Sequence, residues 1–315
     1  MLDFASLGYT KPLYVLPFDH RAMFAKKMFG KNSIADLDFE EKEAIREFKM
    51  LIYKGFKDAV EKLIPTDFAA ILCDEEFGSE VIIDASHNGY VTLLPVEKSG
   101  QTEFDFQYED FAEHIQKFRP KFVKALVRYN SADANDLKRR QKEKLKQLSD
   151  YCHDNNHKFL LEVLVTPTET QLKEIGSQLS FDQRMRPVLT ERVIKELQDF
   201  EVEPDVWKLE GFDLEEDYKE IINAIKRDGR VNVNLVVLGR GGKVEDVEKW
   251  LKVGEMEEIF ETGGKVEGVI GFAVGRTVFW EALEKFHNRE IGKAEVIQTV
   301  STNFQKFYQI FTSAS

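Results

Sequence analysis

Two lysines and a glutamate, Lys124, Glu162 and Lys208, each interrupt a short apolar run: FVKALV, FLLEVLV and VWKLEG. Two amines beside one carboxylate have a specific chemical use. A neighbouring cation and partial loss of water lower the pKa of one lysine, and the neutral amine attacks a ketone. The carboxylate, or the second amine, then shuttles protons as a carbinolamine forms and a carbon–carbon bond breaks. The same trio also fits a buried Lys–Glu–Lys network that only ties strands together, and residue types alone leave both readings open. Pro17-Phe18-Asp19-His20-Arg21 sets an acid, an imidazole and a guanidinium at the end of another apolar run. That cluster would hold hydroxyls or a carboxylate, or else form an ordinary turn. Two glycine-bearing segments, Gly239-Arg240-Gly241-Gly242-Lys243 and Gly275-Arg276-Thr277, suit an anion. Small residues let backbone N–H groups approach it, a helix start adds a favourable dipole, and Arg276 offers a bidentate contact. Plain turn glycines are the other reading. Neither segment matches GxxxxGK[ST] or GxGxxG, so nucleotide binding is not indicated.

The elements that must position these groups repeat along the chain. Short runs rich in Val, Ile, Leu and Phe occur at Leu13 to Phe18, Phe68 to Cys73, Val91 to Val96 and Phe122 to Val127. Four more follow at Phe159 to Val165, Val206 to Gly211, Leu235 to Gly239 and Val269 to Gly275. Each has the length of a buried strand, and each gap holds a charged, amphipathic helical stretch. Strands alternating with helices imply a parallel sheet, and eight such units imply a closed (β/α)₈ barrel of the TIM type, an α/β fold. No linker divides the chain, so residues 1–315 are expected to form a single domain. The tail after Gly275 reads as the eighth helix plus an extra C-terminal helix whose aromatics pack on the barrel.

Barrel strands alternate inward and outward, with active sites at the strands' C-terminal ends. In the sixth run Trp207 and Leu209 suit the helix-covered exterior, which turns Val206 and Lys208 inward. The fourth run turns Phe122, Lys124, Leu126 and Arg128 inward, and the fifth turns Leu160, Glu162 and Leu164 inward. Inward residues of alternate strands share a layer. Lys124 and Lys208 are therefore expected to lie near each other, with Glu162 between them.

Acidic residues outnumber basic ones, 56 to 44, giving a formal net charge of −12. That balance argues against nucleic-acid or anionic-membrane partners, but a phosphorylated small molecule needs only a local basic pocket. No apolar run approaches the ~20 residues of a spanning helix. The opening MLDFASLGYTKPLY lacks a signal peptide's apolar core, so a cytoplasmic location is the expectation. Cys73 and Cys152 have neither disulfide-framework nor metal-ligand spacing. His153 and His157 flank Asp-Asn-Asn at a helix end and read as a solvated terminus. His87, His114 and His287 are scattered, so no metal site is expected.

Together, PLYVLPFDHRAMF, FVKALVRYN, LLEVLVTPTETQL, PDVWKLEGF, VVLGRGG and GFAVGRTVFW resemble the bacterial 2-deoxy-5-keto-gluconate-6-phosphate aldolase-type domain of inositol catabolism. The resemblance runs in order from Pro12 to Trp280, and that domain often sits behind a sugar kinase. It is similar in turn to the class I aldolases that cleave tagatose bisphosphate and related phosphosugars. Their Schiff-base lysine lies on the sixth strand in a D-x-x-K-x-E pattern, matched here by Asp205, Lys208 and Glu210. The resemblance thus implies Lys208 as nucleophile, Glu162 as acid/base and Lys124 as the second lysine. Its matched motifs put Asp19, His20, Arg21 and Glu210 at the substrate, and Arg128, at the top of strand four, is a further candidate for substrate charge. The resemblance implies phosphate contact from Gly275 and Arg276, which the loop reading extends to Gly239, Arg240, Gly241 and Gly242. The family's strand-one D-Q-R becomes Asp19-His20-Arg21, a change that bears on substrate detail. The implied reaction needs no metal or cofactor and splits 2-deoxy-5-keto-gluconate 6-phosphate into dihydroxyacetone phosphate and malonate semialdehyde. Its substrate would be phosphorylated by another activity. The alternatives are a tagatose- or fructose-bisphosphate-type aldolase, a metal-assisted sugar-phosphate isomerase and a non-catalytic phosphosugar-binding protein. Self-association into a homo-oligomer is expected for a barrel of this size.

Overall fold

All eight apolar runs form strands: β1 (Leu13–Pro17), β2 (Ala69–Leu72), β3 (Val91–Pro95), β4 (Phe122–Arg128), β5 (Lys158–Leu164), β6 (Val206–Glu210), β7 (Asn234–Leu238) and β8 (Val269–Ala273). Each pairs in parallel with the next, and β8 closes on β1, making the expected (β/α)₈ barrel. The structure, a computed structural model, describes residues 4–238 and 253–314, with side chains from 259 onward in the second segment. Gly239, Arg240, Gly241 and Gly242 of the expected phosphate corner lie outside the described residues.

The strands are buried on both faces, which is why they read as apolar runs rather than as alternation. Outward side chains such as Leu16, Ile71, Val123, Leu161, Trp207 and Val237 pack with the helices in the larger core. Inward ones, among them Leu13, Val15, Leu72, Leu93, Phe122, Leu160, Val206 and Val236, fill the lower half of the barrel. Tyr9 closes that floor, its ring 5.0 Å from Phe122 in an edge-on contact. Lys124, Glu162 and Lys208 each follow a floor residue by two positions, so the ionisable layer sits directly above an apolar plug.

Two helices carry the outer layer to the barrel mouth. Helix Phe39–Lys62 starts with a capping box between Asp38 and Glu41 and buries Ile45, Phe48, Ile52 and Phe56. The extra C-terminal helix, Lys293–Ala314, follows helix Arg276–His287 and buries Phe304, Phe307 and Phe311. Burying each such ring contributes about 1.5–3 kcal/mol. Tyr308 meets Tyr14 edge-on at 5.0 Å, and Phe311 meets Phe272 at 5.7 Å, so these aromatics do pack on the barrel. Gly55 permits the close helix contact, because a Cβ there would fall 2.6 Å from Val300 Cβ. Among the described residues no helix is long and apolar enough to cross a membrane.

Candidate active site

The strand register places Glu162 opposite Lys208 across the β5–β6 pair. Their period-two partners point inward as expected, and the side chains meet: Lys208 Nζ donates to Glu162 Oε2 at 2.9 Å. Lys124 Nζ reaches the same oxygen at 3.1 Å, so Glu162 bridges the two amines. Lys124 also donates to Asp19 Oδ2 at 3.2 Å and to Glu97 Oε1. Its three N–H groups thus face three carboxylates, whereas Lys208 meets one among the described residues. Lys208 and Glu162 lie at or beyond the middle of their strands, Asp19 and Glu97 follow theirs by two residues, and Lys124 is the third residue of β4.

The electrostatics follow from this crowding. Burial opposes the charge of Lys124, but Glu162, Glu97 and Asp19 outweigh it and hold its pKa above the ordinary lysine value. Burial likewise opposes the charge of Asp19. Lys124, then His20, Lys208 and Lys49, overcome that and keep its carboxyl well below the usual range. Glu162 is also lowered, burial being outweighed by Lys124 and Lys208. Glu97 goes the other way: burial pushes its carboxyl up, and Lys124 only partly offsets this. His20 is pulled down to about 4 by burial, against the attraction of Asp19.

The exit of β1 is fixed from behind. Phe18 N donates to Leu72 O at 2.8 Å, and Lys49 Nζ donates to Phe18 O at 2.8 Å. Lys49 is fully buried on helix Phe39–Lys62, paired with Asp74 and flanked by the rings of Phe24 and Phe77. The peptide entering Asp19 is therefore held by a buried cation. His20 Nδ1 stands 3.9 Å from Asp19 Oδ1, with its ring edge-on to Phe279. Arg21 is buried and uses one nitrogen to hold the Glu97 carbonyl at 2.8 Å, which ties the β1 exit to the β3 exit. Arg128 similarly donates to the Gln101 carbonyl at 2.8 Å. The Glu210 carbonyl accepts from Arg186 at 3.2 Å. Helix Arg276–His287 begins directly after Gly275, as the sequence suggests. Gly275 crosses so close to β1 that a Cβ would sit 2.4 Å from Pro17 O. Burial lowers the pKa of the Arg276 guanidinium, at the helix start.

Asp205 carries no expected site role, and the histidine readings need correction. Asp205, the first residue of the matched strand-six pattern, lies at the other end of the barrel. It is fully buried and accepts from Gly8 N, Phe159 N and Lys158 Nζ, each at 2.8 Å, so it ties down the floor. His114 has companions from other elements: its ring stacks on Tyr108 at 3.8 Å, and Glu75 lies 2.5 Å from Nδ1. His153 and His157 are half-buried, their ring nitrogens 2.8 Å from Glu203 O and 3.3 Å from Pro120 O. Among the described residues no group of three or more His, Cys, Asp or Glu is placed to hold a metal ion.

Sequence reasoning missed Glu97 and Lys49. Counting in twos along β3 from Leu93 through Pro95 reaches Glu97, so the inward parity that found Lys124 extends to it. Lys49 interrupts the apolar stripe Ile45, Phe48, Ile52 of its helix, which marks it as a buried charge.

Solved structures with the same fold include a fructose-bisphosphate aldolase from Slackia heliotrinireducens. It is 10% identical, with a TM-score of 0.56 over 97% of this chain and 87% of that one. An archaeal fructose 1,6-bisphosphate aldolase is 12% identical, with a TM-score of 0.54 over 94% of each chain. A Schiff base forming fructose-1,6-bisphosphate aldolase is 11% identical, with a TM-score of 0.54 over 92% of this chain and 93% of that one. At these identities the likeness is one of fold. No curated protein matches the sequence. A match over residues 7–315 shows that the chain belongs to the family described as "Uncharacterized protein conserved in bacteria (DUF2090)".

Proposed function

We propose that this barrel is a Schiff-base aldolase acting on a phosphorylated keto sugar or keto acid. The observation that carries the reading is the asymmetry between its two interior amines. Lys124, with an acceptor for each N–H, is committed as a cation and donor. Lys208 has one carboxylate, Glu162, at 2.9 Å, and is the amine left to attack a carbonyl.

In this reading Glu162 takes a proton from the Lys208 ammonium, and the freed amine adds to the ketone. Glu162 returns that proton to the new oxygen, giving the carbinolamine, and takes the second proton from the nitrogen. Glu162 then gives a proton to the carbinolamine hydroxyl, which leaves as water and creates the iminium. The iminium is the electron sink when the adjacent carbon–carbon bond breaks. Lys124 steadies the negative charge that builds on oxygen during addition. Arg276 and the helix it begins hold the phosphate. The fold shared with a Schiff base forming fructose-1,6-bisphosphate aldolase supports the reaction class. The motif resemblance favours 2-deoxy-5-keto-gluconate 6-phosphate as substrate, with dihydroxyacetone phosphate and malonate semialdehyde as products.

Borohydride reduction with dihydroxyacetone phosphate tests this directly. The expected result is a covalent adduct mapped to Lys208, absent in Lys208→Ala, which also loses cleavage of the phosphosugars that the wild type turns over. Peptide mapping without an adduct at Lys208 under turnover conditions defeats the proposal.

A further inference from the structure

Breaking the bond requires a second proton transfer, away from the amine. The hydroxyl two carbons from the iminium must lose its proton as it becomes a carbonyl. Three carboxyls surround Lys124, and they are not equivalent. Glu162 shares one oxygen between two ammonium groups. Asp19 has one oxygen on Lys124 and the other facing His20. Glu97 places Oε1 on Lys124, while its buried Oε2 has no hydrogen-bond partner among the described residues.

We propose that Glu97 Oε2 takes the hydroxyl proton of the bound keto substrate as its carbon–carbon bond breaks. This deepens the Schiff-base reading and rests on it. The O–H electron pair becomes the new carbonyl of the departing aldehyde, and the carbon–carbon pair moves toward the iminium to give a neutral enamine. Glu97 is left as the carboxylic acid, and condensation runs the same transfers backwards. Proton work is thereby divided: Glu162 serves the amine, and Glu97 serves the hydroxyl.

Three features support the assignment. A buried carboxylate oxygen without a donor is costly, and a substrate hydroxyl supplies one. The backbone that carries the side chain is held in place: Arg21 grips the Glu97 carbonyl at 2.8 Å. Lys98 N bonds Asp105 O at 3.0 Å and Gln107 N bonds Val96 O at 2.8 Å, closing a short hairpin over the β3 exit. Finally, Glu97 is the better base of the set. Asp19 and Glu162 are both held below their ordinary range, whereas the Glu97 carboxyl is raised, toward the pH at which a general base works best.

Glu97→Gln in the full chain tests this, since glutamine keeps an acceptor for Lys124 and removes the basic oxygen. The probes are dihydroxyacetone phosphate for borohydride trapping, and 2-deoxy-5-keto-gluconate 6-phosphate and the tagatose and fructose bisphosphates for cleavage. The expected result is a loss of about 10²–10⁴-fold in cleavage kcat, with the Lys208 adduct formed at nearly the wild-type rate. Unchanged cleavage, or parallel loss of cleavage and adduct at an unchanged melting temperature, overturns the assignment. If Glu97→Gln does not fold, Glu97→Asp gives the same decision, because it keeps the charge but withdraws Oε2. A wild type that forms no adduct brings down the Schiff-base reading and this inference with it. A wild type that does, beside a Glu97→Gln enzyme of full cleavage activity, removes Glu97 alone.

Discussion

Lys124→Met strips the common counter-ion from three carboxyls that water barely reaches. Their side chains are 13% exposed for Asp19, 8% for Glu97 and 9% for Glu162, around a lysine that is 2% exposed. Removing one partner of a buried ion pair costs about 3–5 kcal/mol, because the remaining charge is stranded. Lys208 still pairs with Glu162, so Asp19 and Glu97 bear most of the change. Against a total stability of about 5–15 kcal/mol, this loss is large. At about 2–4 °C per kcal/mol for domains of 150–250 residues, the melting temperature at neutral pH should fall on the order of 10 °C.

The cost depends on pH, with a defined sign. In the wild type, Asp19 and Glu162 have folded pKa values below their unfolded ones. Their stabilisation is complete above the unfolded value of about 4 and fades as pH falls through the folded values. Without Lys124, only His20, Lys208 and Lys49 are left to oppose burial at Asp19, so its carboxyl rises, and Glu97 rises further. The folded variant then binds more protons than its unfolded chain above about pH 4, so its stability falls as pH rises. Urea unfolding followed by tryptophan fluorescence, from about pH 5 to about pH 8, should show the gap between variant and wild type widening with pH. A gap of the same size at both ends, or one below about 1 kcal/mol, refutes the picture of Lys124 as the shared cation.

Arg276→Ala should raise KM for phosphorylated substrates by about 10–100-fold, the worth of a charged hydrogen bond of about 1.5–3 kcal/mol. Equal weakening of an unphosphorylated analogue sinks the phosphate assignment. His20, held near pKa 4 by burial, is neutral at physiological pH. His20→Gln should therefore leave the shape of the pH–rate profile unchanged from about pH 5 to about pH 8, and a displaced limb shows that His20 titrates in the reaction.

The barrel was legible because each strand is buried on both faces, so composition and length mark it without any alternation. The inward residues were legible for a different reason: a period of two, anchored by Trp207 and Leu209 as outward neighbours, leaves Lys208 no other direction. Asp205 shows the limit of a motif read as a unit. It stands three residues before Lys208, about 10 Å lower at ~3.3 Å per residue, so one short pattern spans the floor of the barrel and its chemistry. Glu97 shows the limit of reading runs. It follows β3 by two residues, where the apolar signal has ended but the alternation has not. Pairing it with Lys124 depends on the Pro95–Lys124 register, which no single strand contains. Its presence alters the chemistry. Two amines around one acid could exchange roles, whereas two amines among three acids cannot. In the proposed reaction the amine with three acids stays a cation, and the one with a single acid is the nucleophile. The acid with an unpartnered oxygen is the one with capacity for another proton.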